Sequence, residues 1–181
     1  ELKGDPATVG ALGSSSGGHE LQLCAMRPHD PRYTAHPLPE APRLDAILTY
    51  VVARSPISDP FARYEQAKKM QRENLIKNSE IYFNPWETIF EGNPQQILDR
   101  REPVTLPPMF ILQGELDDNV LPAVQERFAA TYRKAGGEID YEVFLGCEHR
   151  WVIHPGPQTD RAIEMVKAFI ARQLRKRQPL G

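Results

Sequence analysis

Apolar residues fall along this chain in two rhythms. Short runs with few polar interruptions, Thr8–Leu12, Ala46–Val52, Pro108–Leu112 and Ile139–Leu145, predict four strands. The run Ala-Ile-Leu-Thr-Tyr-Val-Val at 46–52 is apolar almost throughout, as a strand covered on both faces should be. Between the strands the spacing turns helical. Gly17–Met26 predicts a short helix stopped by Pro28, and Phe61–Asn78 carries Tyr64, Ala67, Met70 and Leu75 at helical intervals. Pro94–Asp99 adds one more turn of helix. Val124, Phe128, Ala129 and Tyr132 mark one face of a helix over Pro122–Ala135, closed by Gly136-Gly137. The last helix, Asp160–Arg175, has Ile163, Met165, Val166, Phe169, Ile170 and Leu174 at its apolar positions and Asp160 as its cap. Glu1–Ala7 reads as the tail of something earlier, and Arg27–Arg43 as a loop rich in Pro, His and Asp.

Alternating apolar strands and amphipathic helices specify an α/β fold, with a mainly parallel sheet covered by helices on both faces. The block 60–104 is long for a plain connection and reads as a small helical insertion. Its Tyr82, Phe83, Trp86 and Phe90 face either the core or a ligand, and their spacing leaves both open.

Composition narrows the class of protein. The 181 residues suit one domain, with a formal net charge of −2, 25% charged and 40% hydrophobic residues. No apolar run approaches membrane-spanning length, and no signal peptide is visible, so a cytoplasmic setting is expected. Cys24 and Cys147 make neither a disulfide framework nor a metal site, and His29 and His36 have no companion at ligand spacing. Basic residues collect only at Arg172, Arg175, Lys176 and Arg177, where they favour a helix C-terminus and make a poor nucleic-acid stripe.

The chemistry lies in the loops. Strand one runs into Gly13-Ser14-Ser15-Ser16-Gly17-Gly18-His19, a Gly-x-Ser-x-Gly pattern that can hold Ser15 on a sharp strand-to-helix turn. Read alone, those residues are equally a flexible linker. The rest of the chain decides between the two. Parallel sheets bind ligands beyond the carboxyl ends of their strands. There Ser15 follows strand one, Asp117 or Asp118 follows strand three, and His149 follows strand four. A serine hydroxyl becomes a nucleophile when a histidine takes its proton and a carboxylate fixes that histidine's tautomer. Asp117 is preferred to Asp118, and His149 to His154, because His149 follows its strand through a short Gly-Cys-Glu turn. The Ser16 N–H, at the helix start, would face an oxyanion. His19 is read as structural near the turn, with a smaller share for pocket shaping, and Trp151 as a pocket wall beside the base. Glu115 and Glu148 are read as solvated.

Three motifs in this order resemble the α/β-hydrolase superfamily, in its esterase and lipase group related to prolyl-oligopeptidase-like serine hydrolases. They are the elbow at 13–19, the turn Gln113-Gly114-Glu115-Leu116-Asp117-Asp118-Asn119-Val120-Leu121-Pro122, and Leu145-Gly146-Cys147-Glu148-His149. Pro56–Pro60 followed by Tyr64 resembles the family's exit from its sixth strand. The resemblance implies Ser15 as nucleophile, Asp117 as acid and His149 as base, with no metal or organic cofactor. It implies a small-molecule ester as substrate, cleaved through an acyl-enzyme, and a pocket near Tyr82, Phe83 and Trp86. The same triad serves amidases and peptidases, which stay open. The four strands match the fifth to the eighth of the family's sheet, so the chain resembles the C-terminal part of the fold. The loop of His-Gly-Gly type that supplies further oxyanion donors is not in these residues. A missing N-terminal half or a homodimer partner is therefore expected, and a non-catalytic hydrolase-like fragment is the remaining alternative.

Overall fold

The computed structural model describes residues 5–33, 36, 39–41 and 47–176. Four strands, β1 (Gly10–Ser14), β2 (Tyr50–Arg54), β3 (Met109–Gly114) and β4 (Ile139–Phe144), form one sheet in the order β1-β2-β3-β4. Every pairing is parallel, with Ser14 opposite Arg54, Ala53 opposite Ile111 and Gly114 opposite Phe144. Among the described residues seven α-helices join and flank them: α1 (Ser16–Met26), α2 (Pro60–Lys69), α3 (Glu73–Tyr82), α4 (Thr88–Glu91), α5 (Pro94–Asp99), α6 (Pro122–Lys134) and α7 (Pro157–Arg175). None of the helices among the described residues is long and apolar enough to cross a membrane.

Alternation along the strands divides the core in two. Val51, Ala53, Met109 and Ile111 point to one face, where Leu23 and Met26 of α1, Ile97 and Leu98 of α5, and Phe128 and Tyr132 of α6 cover them. Val52, Phe110, Leu112 and Phe144 point to the other face, under Ala162 and Phe169 of α7. That second cover is incomplete. Leu12 pairs in register with Val52, faces the same side and is 68% exposed.

Several boundaries differ from the sequence expectation, the last helix among them: it starts at Pro157 with Gly156 at its N-cap, and Asp160 lies inside its first turn rather than capping it. Strand one starts at Gly10 because Asp5 caps a 3₁₀ turn over Pro6–Thr8, its carboxylate accepting from the Ala7 N–H at 2.9 Å. It continues to Ser14 because parallel pairing with β2 holds Gly13 and Ser14 extended. Strand two begins at Tyr50 rather than Ala46, which lies outside the described residues. The helix expected over 61–78 is two helices. Past the end of α2, Gln71 at φ 55° turns the chain so that α3 packs against α2. Outside the described residues lie most of the expected tail (Glu1–Gly4) and Arg177 of the basic cluster.

Candidate active site

The turn at Ser15 is built by small residues on both sides. Ser15 sits at φ 53°, ψ −117°, a strained position for a side chain with a Cβ. Its N–H donates to the Arg54 carbonyl at 3.0 Å, the last rung of the sheet. Its carbonyl accepts from the His19 N–H at 3.1 Å and the Ile57 N–H at 3.3 Å, pinning α1 and the β2–α2 loop to the same point. A Cβ on Gly13 would stand 2.6 Å from the Gly17 carbonyl oxygen, so strand and helix can approach this closely only with glycine there.

The exits of β3 and β4 are zipped together. Glu115 N–H donates to the Phe144 carbonyl at 3.0 Å, Leu116 N–H to the Cys147 carbonyl at 2.9 Å, and Gly146 N–H to the Glu115 carboxylate at 2.8 Å. Gly114 allows it, since a Cβ there would lie 2.5 Å from the Cys147 carbonyl oxygen. The result carries Asp117 and His149 to Ser15. His149 Nδ1 lies 2.8 Å from Asp117 Oδ2, and His149 Nε2 lies 3.0 Å from Ser15 Oγ.

Proton positions follow from the partners. Asp117 Oδ1 accepts from the Asn119 N–H at 3.0 Å and the Val120 N–H at 2.8 Å, and Oδ2 from the Gln113 amide at 3.1 Å. Burial alone would raise its pKa, but the hydrogen bonds from His149 and the Val120 N–H outweigh it and hold the carboxyl below its ordinary value. An ionised carboxylate only accepts, so Nδ1 of His149 carries the proton and Nε2 is free to accept from the Ser15 hydroxyl. Asp118 is elsewhere, exposed and paired with Arg72, and His154 is on the surface.

Two groups at the site carry no sequence motif. Arg54, at the end of β2, donates to the His149 carbonyl and to the Ser14 hydroxyl, tying the base loop to the residue before Ser15. A cation closing an otherwise apolar strand is the only sequence signal for it. Arg63, on α2, lies in an amphipathic stretch that gives none.

Beside Ser15 opens a cleft of about 330 Å³, lined by Ser15, Ser16 and His19 from the turn, Arg63 from α2, and Tyr82 and Phe83 from the α3 end. Ser16 is the first residue of α1, so its N–H has no acceptor within the helix. His19 is 2% exposed and donates from Nε2 to the Gly92 carbonyl at 2.6 Å. Burial holds its pKa below the usual imidazole value, with Arg63 adding to the lowering and Gly92 and Glu20 opposing it. The ring edges of Tyr82 and Phe83 meet it at centroid distances of 5.9 Å. Structural packing and cleft lining therefore coincide in His19 and in Phe83.

Trp86 and Trp151 stand apart from that cleft, against the expectation for both. Trp86 packs on Tyr64 of α2 at 4.5 Å. Trp151 is buried in the core under α7, stacked on Phe144 at 4.5 Å, because the chain after His149 dives into the sheet. A larger cavity of about 590 Å³ lies between α5 and α6, away from Ser15 and His149. Among the described residues no three His, Cys, Asp or Glu side chains converge as a metal site would need.

Solved structures share this arrangement of elements. Esterase 2 of Thermogutta terrifontis, seen phosphoramylated by tabun, superposes with a TM-score of 0.64 at 20% identity over 93% of this chain and 56% of its own. Esterase B of Lactobacillus rhamnosis gives 0.69 at 15% identity, over 95% of this chain and 56% of its own. A puromycin-hydrolyzing peptidase of Mycobacterium tuberculosis gives 0.67 at 22% identity, over 94% of this chain and 22% of its own. The chain thus spans little more than half of either esterase and under a quarter of the peptidase. No curated protein sequence matches it. The sequence model of the prolyl oligopeptidase family matches residues 3–177, and on that match, with the α/β fold in hand, the chain belongs to the prolyl oligopeptidase family.

Proposed function

We propose that Ser15, His149 and Asp117 are the nucleophile, base and acid of a serine hydrolase that cleaves carboxylic esters through an acyl-enzyme. The observation that carries this reading is the unbroken line from Asp117 Oδ2 to His149 Nδ1 at 2.8 Å and from His149 Nε2 to Ser15 Oγ at 3.0 Å. Ser15 Oγ attacks the ester carbonyl carbon as its proton passes to His149 Nε2. The oxyanion takes the Ser16 N–H, the ester C–O bond breaks, and the proton on Nε2 goes to the leaving alcohol. Water then attacks the acyl-enzyme, giving its proton to the same nitrogen; the bond from the acyl carbon to Ser15 Oγ breaks, Nε2 returns the proton to Oγ, and the acid product leaves. A fragment with no chemistry would be expected to hold Ser15 and His149 beyond hydrogen-bond reach, so the 3.0 Å contact favours catalysis. Amide cleavage by the same groups is the second reading, favoured by the peptidase family that the chain belongs to.

One N–H makes an incomplete oxyanion hole. In the same reading, residues 1–181 are part of an α/β-hydrolase domain with 60–104 as its helical insertion. The further donors come from a segment outside these residues, in the same polypeptide or a second chain. That segment lies along β1 and the uncovered side of α7, where Leu12, Ile153 and Ile163 are 68%, 57% and 47% exposed.

A fluorophosphonate probe tests the reading, read by intact mass and peptide mapping with Ser15→Ala as control. The expected result is one adduct on Ser15 that the variant lacks. Folded protein that takes no adduct, alone and with its completing segment, refutes it.

A further inference from the structure

The cleft beside Ser15 has a charge that nothing in it balances. Among the described residues that line it, Arg63 alone has a permanent charge, and none is an aspartate or glutamate. Nearby, Arg72 holds Asp118, and Arg127 holds Asp99 with Asp59 at 3.5 Å. Arg63 instead donates from Nε to a neutral acceptor, Asn119 Oδ1, at 2.9 Å. Burial lowers its pKa, and the one carboxylate that raises it, Asp117, is engaged by His149 and two backbone N–H groups. A partly desolvated guanidinium held by an amide is an expensive arrangement that a bound anion would relieve. Its terminal nitrogens offer the planar fork that suits a carboxylate.

Which half of the substrate enters is set by His149. The leaving group must reach the base that protonates it, and His149 does not line this cleft. The cleft therefore takes the acyl half. Ile57, Pro60, Leu75 and Phe83 supply apolar walls, and about 330 Å³ suits a short chain of methylenes.

We infer that the acyl group of the substrate bears a free carboxylate a few carbons from the scissile carbonyl, and that Arg63 binds it. The inference rests on the assignment of Ser15 and His149 above. Two sources share this chemistry, a half-ester of a dicarboxylic acid and an acidic amino-acid residue in a peptide.

Paired substrates distinguish them: monomethyl adipate against methyl hexanoate, and N-acetylglutamyl p-nitroanilide against its glutaminyl isostere. In one pair kcat/KM favours the acid by about tenfold or more, Arg63→Met brings the ratio near one, and Arg63→Lys restores part of it. Equal rates within both pairs, on protein whose Ser15 takes the fluorophosphonate, overturn the inference and leave the hydrolase standing. So does a parallel loss on both members in Arg63→Met, which would make Arg63 only a support for Asn119. If Ser15 takes no probe, alone and with the completing segment, the hydrolase assignment fails, and adipate titration by calorimetry decides the rest. Binding lost in Arg63→Met keeps the anion site, and no binding to the wild type removes it.

Discussion

At the scale of single residues, the site depends on which atoms carry protons. Asp117→Asn replaces an acceptor-only carboxylate with a group that can donate to His149 Nδ1. The imidazole then holds its proton on Nε2, where it cannot accept from Ser15. The expected loss is about 10⁴-fold in kcat with the fold intact, measured on a p-nitrophenyl ester beside far-UV circular dichroism. His19 makes a different prediction, about stability. Its pKa is lowered in the folded state, so the unfolded chain takes up the proton first. Its contribution is complete above about pH 6.5 and declines as pH falls below it, by at most about 1.4 kcal/mol per pH unit. Asp117, lowered in the other class of group, loses its contribution only on further acidification below about pH 3.8. Urea unfolding at pH 7.5 and 5.0 should therefore show a steeper fall for wild type than for His19→Gln, whose amide can still donate to Gly92. Equal slopes would exclude His19 as the buried neutral group. Ser15, Asp117 and His149 were readable in the sequence because each follows a strand end beside glycine, so order along the chain stood in for distance. Arg63 and Arg54 were not. Their significance lies in what surrounds the guanidinium, and neighbours distant in sequence determine that.

At the scale of elements, the site is held by a buried polar knot beneath it. Ser58, in the β2–α2 loop, donates to Gln125 Oε1 of α6 at 2.8 Å and accepts from Gln22 Nε2 of α1 at 3.0 Å. Gln125 returns a bond to the Pro56 carbonyl, and all three side chains are fully buried. One residue on, Asp59 caps α2 through the Ala62 N–H at 3.0 Å and holds Asn93, which caps α5. The loop that accompanies Ser15 and launches Arg63 is thus fastened to three helices. Ser58→Ala leaves two buried amides without their shared hydroxyl, and the expected cost is about 1–3 kcal/mol of unfolding free energy. Chemical denaturation measures it, and a change under about 0.5 kcal/mol would mean that water or a repacked glutamine replaces the hydroxyl. None of this knot shows in the periodicity, since Gln22, Ser58 and Gln125 read as polar positions on amphipathic elements. The same limit explains the helix expected across 61–78. Composition favours helix throughout, and the positive φ at Gln71 accompanies the packing of α3 back on α2, a contact between residues that periodicity does not pair.

At the scale of the whole molecule, the two faces of the sheet are unequally covered. α1, α5 and α6 close one face, whereas α7, with Cys147, Trp151 and Val152 ahead of it, serves the other and leaves Leu12 of β1 exposed. β1 is an edge strand of a parallel sheet, a class that is ordinarily buried, and its Leu12 borders an apolar groove with Val52, Leu112 and Val166. The apolar pattern that revealed four strands could not show this, because a run covered on one face and a run covered on both read alike. An uncovered strand edge beside an apolar groove attracts either its completing segment or another copy of itself. The chain studied alone should therefore bind a hydrophobic dye and gain mass with concentration in sedimentation velocity. Leu12→Lys places a charge at the centre of that edge and should suppress both effects. Because Leu12 is 68% exposed, the same substitution should change unfolding free energy by no more than about 0.5 kcal/mol. A wild-type chain that stays monomeric and dye-free across the concentration range would mean that this edge needs no partner. The oxyanion donors assigned to the segment along it would then have to come from within the 181 residues.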